Sequence, residues 1–319
     1  MIAFVLSGGG NRGALQVGAL QALAERGVRP DIVVGTSAGA INGLMVAYDP
    51  SPGHLSKLAD IWRNLSRESI YPGNYATMLW RLARGDAGLF PNDSFKSFLA
   101  GHTPNNVQTF AELTTAAGVK FYATATQIPS GQLHVFGDDE SENLLDALVA
   151  SSALPPFHPP YRIGDRVYVD GGVVSNLPLQ VALDRGAKTV YALHIADDPA
   201  EQAPGYGAMS VAYWSIAKLL HEQVTAELEG VNRQRGVKVY YIQLTSDFPL
   251  TATDFSQGKQ LINRGYGLAM EYLNHQPLPL ATQIGQHLKD WAHHLSSLPG
   301  QAKAAVQRAT SADAQQNAG

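Results

Sequence analysis

The amino-acid sequence predicts an α/β fold built on a doubly wound, mostly parallel sheet. Two short apolar runs, Ile2 to Leu6 and Asp31 to Gly35, each lead into a glycine-containing turn and then into a segment of helical periodicity. Continuous apolar runs of this length read as strands buried on both faces, and successive strand-helix units imply a right-handed parallel crossover. β-Branched and aromatic runs recur later in the chain, separated by further helical segments.

In order, the first strand ends in Gly8-Gly9-Gly10. A helix follows from Ala14 to Arg26, with Leu15, Ala19, Leu20, Leu23 and Ala24 at helical spacing and Gly27 placed to stop it. The second strand turns at Thr36-Ser37 into a helix from Ala38 to about Tyr48, closed by Asp49-Pro50. A helical insertion is expected over about residues 53–106, and its Tyr71 to Phe98 part is rich in aromatic side chains. Further strands are expected at Lys120 to Ile128, Arg166 to Val169, Lys188 to Ile195 and Val237 to Leu244. Helices are expected at Ser210 to Asn232, Phe255 to Tyr272 and Thr282 to Leu295. The reading is of one domain over residues 1–298, with an Ala/Gln-rich disordered tail at 299–319.

Composition narrows the function. A formal net charge of -4 supplies no chain-wide positive field, which argues against nucleic acid as a partner. With no cysteine, disulfides, thiolate metal sites and cysteine nucleophiles are excluded. The opening residues lack the basic segment and apolar length of a signal peptide, so a cytoplasmic location is expected. No run approaches the roughly 20 apolar residues that span a bilayer, so dealings with lipid are expected at the membrane periphery. The acidic cluster Asp138-Asp139-Glu140 lacks the spaced ligands of a calcium loop and reads as a solvated turn.

Gly8-Gly9-Gly10-Asn11-Arg12-Gly13 lies between a strand and a helix, where unpaired N–H groups and the helix dipole favour an anion. No Gly-Lys-Ser/Thr follows, which removes the nucleoside-triphosphate reading. Gly8, Gly10 and Gly13 do satisfy a dinucleotide fingerprint. However, the second strand ends in Gly35-Thr36-Ser37 rather than in the acid that would hold a ribose, and Asp31 stands at its far end. Gly35-Thr36-Ser37-Ala38-Gly39 is instead a G-x-S-x-G nucleophile elbow, with Gly35 and Gly39 relieving a crowded turn. Its competing reading is an N-capping serine on an ordinary strand-helix turn. Asp170, followed by Gly171 and Gly172 at the end of a short strand, is the better candidate base, with a surface Asp-Gly turn as its competing reading. His134 and His194 fall in or beside strands, where packing explains them, while His158, between prolines, could line a site.

Four blocks in this order resemble the patatin-like phospholipase family. Gly8 to Gly13 resembles its oxyanion-hole loop, Gly35 to Gly39 its elbow, Ala150 to Phe157 its Ser-rich, Pro-ended segment, and Asp170-Gly171-Gly172 its aspartate motif, continued by Asn176-Leu177-Pro178. The resemblance implies a three-layer α/β/α fold and hydrolysis of lipid acyl esters without cofactor or metal. It also implies a dyad of Ser37 and Asp170, with Gly8, Gly9, Gly10 and Arg12 around the oxyanion. Gly9 and Gly10 are expected to be the main donors, and Arg12 is read first as a structural arginine near the first helix. The other readings are a dinucleotide-dependent enzyme and an inactive lipid-binding protein. The sequence identifies no protein partner.

Overall fold

The computed structural model describes residues 1–73, 75–104, 106–196, 208–232, 236–248 and 250–275. Strand β1 (Ile2–Leu6), helix α1 (Gly13–Glu25), β2 (Ile32–Thr36) and α2 (Ala38–Tyr48) form the expected opening. Helices α3 (Pro52–Asn64), α4 (Arg67–Ile70), α5 (Tyr75–Ala83), α6 (Asn92–His102) and α7 (Phe110–Ala117) follow. The sheet resumes with β3 (Lys120–Ile128) and β4 (Gln132–Phe136), then helix α8 (Leu144–Ser151), β5 (Tyr161–Ile163) and β6 (Arg166–Asp170). Helix α9 (Leu179–Asp184), β7 (Thr189–Ile195), α10 (Ala208–Asn232), β8 (Lys238–Leu244) and α11 (Gly258–Asn274) complete it. The helix expected at 282–295 and the tail at 299–319 lie outside the described residues.

The eight strands form one sheet in the order β5-β6-β3-β2-β1-β7-β8, with β4 also on β3. Pairings from β3 through β2, β1 and β7 to β8 are parallel, while β4, β5 and β6 run antiparallel to their neighbours. Successive side chains alternate across the sheet. Phe4 and Leu6 join the larger core with Leu15, Leu20 and Leu44 from α1 and α2, and with Leu261 from α11. Ala3 and Val5 face the other way onto Leu179 and Val181 of α9 and Val224 of α10. That alternation makes three layers, because each face of a buried strand needs its own apolar cover.

Strands β4 and β5 are additions to the sequence reading. Both are short and half-exposed, so neither carries the continuous apolar run that marks β1 and β2. The insertion supplies α3 to α6. It divides into a buried part, with Phe90, Phe95 and Leu99 in the core, and an outer helix α5 whose Leu79, Trp80 and Leu82 face solvent.

Candidate active site

Register brings the site together. Residues 125–127 of β3 pair with both β4 and β6, so those two strands lie on opposite edges of it. β4 also overlaps β2 at residues 123–124, which puts β2 and β6 on the same edge, approaching from opposite directions. Thr36 ends β2 opposite Thr124, and Asp170 ends β6 opposite Ala125. The chain therefore delivers Ser37 and Asp170 to one point where two strand ends meet.

Ser37 has φ 56° and ψ -125°, and it alone among the described non-glycine residues has positive φ. Such a conformation costs on the order of 1–3 kcal/mol and persists only where the surroundings enforce it. The flanking glycines permit it. A Cβ on Gly35 would stand 2.3 Å from the Gly39 carbonyl oxygen, and one on Gly39 would stand 2.4 Å from that of Leu6. The Ser37 N–H donates to Ser151 Oγ at 2.9 Å, which gives the Ser-rich segment a structural task beside Ser37.

Asp170 is 2% exposed. Its Oδ1 accepts the Gly172 N–H at 2.8 Å, its own N–H donates to the Ala153 carbonyl, and its carbonyl accepts the Thr126 hydroxyl. Burial pushes the carboxyl up to about 6, while the Ser37 hydroxyl and the Gly172 N–H act to lower it. Oδ2 makes no hydrogen bond of full geometry among the described residues. The Ser37 hydroxyl nonetheless stands close enough to the carboxyl to act on it. Gly171 packs directly against the Thr124 backbone.

The glycine turn stands over the same point. A Cβ on Gly8 would lie 3.2 Å from Ser37 Cβ, so this loop abuts Ser37. The Gly8 N–H is already donated to the Asn176 carbonyl at 3.2 Å, and the Arg12 N–H to that of Gly9 at 3.2 Å. Neither the Gly9 nor the Gly10 N–H is paired with a backbone acceptor among the described residues. The Arg12 guanidinium is buried and donates from Nη2 to the Leu250 carbonyl at 3.0 Å, tying the turn to the chain before α11.

Several supports carry no sequence signal of their own. Ser7 Oγ donates to the Gly8 carbonyl and accepts the Ile195 N–H. Gln16 donates to the Ser7 carbonyl, Asn42 donates to Gln16 and to the Gly13 carbonyl, and Trp62 donates to Asn42. Behind the Asp170 turn, Glu227 of α10 accepts the Ser175 hydroxyl at 2.5 Å and the Leu179 N–H at 3.3 Å. The Ser175 carbonyl in turn accepts the Thr36 hydroxyl.

Ser37, Asp170 and Gly8 to Gly10 open on one cleft. Its walls are mostly apolar, with Ile41, Met45, Trp62, Tyr71, Phe95 and Phe98 among them. His158 and His194 also line it, and burial first of all pushes both down to about 4, which leaves them neutral near pH 7. His194 Nδ1 is bonded to the Tyr241 hydroxyl, and His134 pairs with Glu142 away from the cleft. The Asp31 carboxylate takes the N–H of Ile2, at the opposite end of β1 from the glycine turn, where it cannot serve a dinucleotide there. Among the described residues no His/Asp/Glu group could hold a metal ion, and no helix is long and apolar enough to cross a membrane.

A profile of patatin-like phospholipases matches residues 4–183, which spans all four sequence blocks and both strand ends at the site. The chain belongs to the patatin-like phospholipase family. It is 29% identical over 218 residues to patatin-like phospholipase domain-containing protein 7 of Rattus norvegicus, covering 68% of this chain and 15% of that protein. It is 27% identical over 225 residues to lysophospholipase NTE1 of Saccharomyces cerevisiae, covering 67% of this chain and 12% of the yeast protein. The chain thus spans about 15% or less of the length of these relatives. VipD from Legionella pneumophila aligns in structure with a TM-score of 0.45 at 17% identity, over 85% of this chain and 66% of that one. In this patatin-like chain Ser152, within the Ala150 to Phe157 block, lines the cleft.

Proposed function

We propose that the protein is a lipid acyl hydrolase, a carboxylic-ester hydrolase of phospholipase A or lysophospholipase type, working through an acyl-enzyme on Ser37. The observation that carries this reading is the meeting of a strained serine, a buried aspartate and a glycine turn at the mouth of an apolar cleft. Ser37 Oγ attacks the ester carbonyl as Asp170 takes its proton. The tetrahedral oxyanion is held by the Gly9 and Gly10 N–H groups, with Gly8 and Arg12 shaping the loop rather than donating. A lost donor of this kind costs roughly 3–4 kcal/mol in other hydrolases. Protonated Asp170 then gives its proton to the leaving alkoxide, the C–O bond breaks, and water activated by the same carboxylate releases the acid.

Asp170 is a credible base because its proton affinity is raised toward that of the working pH, where general-base catalysis is most effective. Neither step calls for a metal or cofactor. An aspartate of this strength suits alkoxide leaving groups better than amines, so esters are preferred to amides. Lipid is the substrate class that fits the apolar walls, and the exposed apolar side chains of α5 fit contact at the membrane periphery.

The test is hydrolysis of p-nitrophenyl esters and lysophospholipids by the wild type, Ser37→Ala and Asp170→Asn. Loss in both variants supports the dyad. Near-wild-type activity in Asp170→Asn removes the aspartate from the role of base. An inactive wild type, with and without lipid micelles, favours the binding-protein reading.

A further inference from the structure

Helix α2 begins at the nucleophile, and its Ala38, Ile41 and Met45 line the cleft from one helical face. Phe95 and Leu99 of α6 line the cleft too, as do His102, which is exposed, and Thr103, while Met45 is the last residue of α2 that does so. From Ser37 to Met45 the helix rises roughly 12 Å at about 1.5 Å per residue. An all-trans alkyl chain advances roughly 1.3 Å per carbon, given a carbon–carbon bond of about 1.5 Å at a tetrahedral angle.

We propose that this groove runs from Ser37 along α2 toward the C-terminal end of α6 and senses acyl length only up to about eight to ten carbons, with Met45 marking where its shelter ends. The inference rests on the acyl-hydrolase reading and goes beyond it by setting the acyl length over which the site gains binding. Longer chains are accommodated, because the groove opens at His102, but their extra carbons return to water and add nothing. Ile41, roughly 6 Å along the helix from Ser37, is the position where a larger side chain would cut the groove short.

Two measurements test this. The first is kcat/KM for p-nitrophenyl esters from butyrate to palmitate, kept below their aggregation limits, for the wild type and Ile41→Trp. The expected wild-type profile rises by up to about fourfold per methylene to eight or ten carbons and then levels. In Ile41→Trp the break moves to about four to six carbons, so the octanoate-to-butyrate ratio falls by at least about tenfold. Should Ile41→Trp fail to fold, as judged by its melting temperature, Ile61→Phe on the facing wall serves the same comparison. A rise continuing through palmitate, or a break that stays in place in the folded variant, overturns the proposal.

The second measurement is calorimetric titration of Ser37→Ala with fatty acids from hexanoate to palmitate, which needs no turnover. If the wild type cleaves no ester, the acyl-hydrolase reading fails. The titrations still decide the groove: a per-methylene gain that stops at eight to ten carbons sustains it, and a gain without a break removes it.

Discussion

Thr36 and Asp170 occupy neighbouring positions on one edge of β3, Thr36 arriving on a parallel strand opposite Thr124 and Asp170 on an antiparallel strand opposite Ala125. Two strand ends that meet head to head set the following Ser37 beside the Asp170 carboxylate without any loop to span the gap. Thr36 Oγ1 and Thr124 Oγ1 lie 2.6 Å apart across the same junction, both fully buried. The approach of Ser37 and Asp170 is thereby a property of strand register rather than of a connecting loop.

Asp170 should make the protein less stable as it ionises. Its folded value of about 6 stands above the model-peptide value of 3.8. Between those two pH values the folded state holds more protons than the unfolded state, so stability falls as pH rises through the window and is flat above it. The penalty is on the order of 3 kcal/mol at neutral pH. Asp170→Asn, which is uncharged, is expected to melt at a higher temperature than the wild type at pH 7.5, with the gap closing toward pH 4. Equal melting curves at every pH would show that the carboxylate is not desolvated.

Activity should follow the same group in the opposite sense. Below about pH 6 the Asp170 carboxyl is protonated and cannot accept the Ser37 proton, so kcat/KM is expected to rise with a single ionisation near 6 and then level. His158 and His194 titrate near 4 and cannot produce that limb. His158→Asn should therefore keep its midpoint near 6. A limb that moves or vanishes in His158→Asn would transfer the role of base to the histidine.

The two residues proposed as the dyad stand out in the sequence because each sits in a backbone situation that demands particular neighbours. Ser37 needs Gly35 and Gly39 against its strained turn, and Asp170 needs Gly171 against the Thr124 backbone. The first two strands were legible for a similar reason, since burial on both faces leaves an unbroken apolar run. Glu227, Gln16, Asn42 and Trp62 were not, because each acts across a fold-level contact that no local pattern encodes. Glu227, for instance, is an ordinary polar residue of a long helix until α10 lies over Ser175. Likewise nothing in Tyr71 to Phe98 separates the rings that line the cleft from those that face solvent. The sharing of one β3 edge by β2 and β6 was also hidden, since the approach of residues 36 and 170 is set by the register of each on β3 and not by sequence spacing.

Glu227 should act as a clamp whose loss is felt at the site. Its carboxylate satisfies the Ser175 hydroxyl and the Leu179 N–H, and burial raises its proton affinity despite both bonds. Glu227→Ala leaves the two donors unpaired in the interior, at roughly 1–3 kcal/mol each. The segment so loosened supplies the carbonyls of Ser175 and Asn176, which hold Thr36 and Gly8. A melting temperature lower by several degrees is expected, together with a fall in kcat larger than any change in KM. If kcat per folded molecule is unchanged, Glu227 serves stability alone.

Helix α5 tests the membrane reading. Its Leu79, Trp80 and Leu82 are 66%, 57% and 58% exposed, while Arg81 on the other side donates to the Gly88 carbonyl and pairs with Asp86. The helix thus presents apolar side chains to solvent and a cation inward, the reverse of an ordinary surface helix. The segments on either side of it lead to the cleft: Tyr71 lines it, and the N–H groups of Leu89 and Phe90 donate to the carbonyls of Pro156 and Phe157. A surface carrying Trp and Leu on a segment that leads to an apolar cleft is of the kind that sits in a lipid interface. Removing three such side chains costs on the order of 1.5–3 kcal/mol of burial for each one that inserts. Leu79→Ser, Trp80→Ser and Leu82→Ser combined should therefore reduce cosedimentation with phosphatidylcholine vesicles at least tenfold. Hydrolysis of vesicle lipid should fall in parallel, and far more than hydrolysis of a monomeric short-chain ester. Equal losses on both substrates would place α5 in the fold rather than at the interface, and a change from dimer to monomer would assign the face to a second copy of the chain.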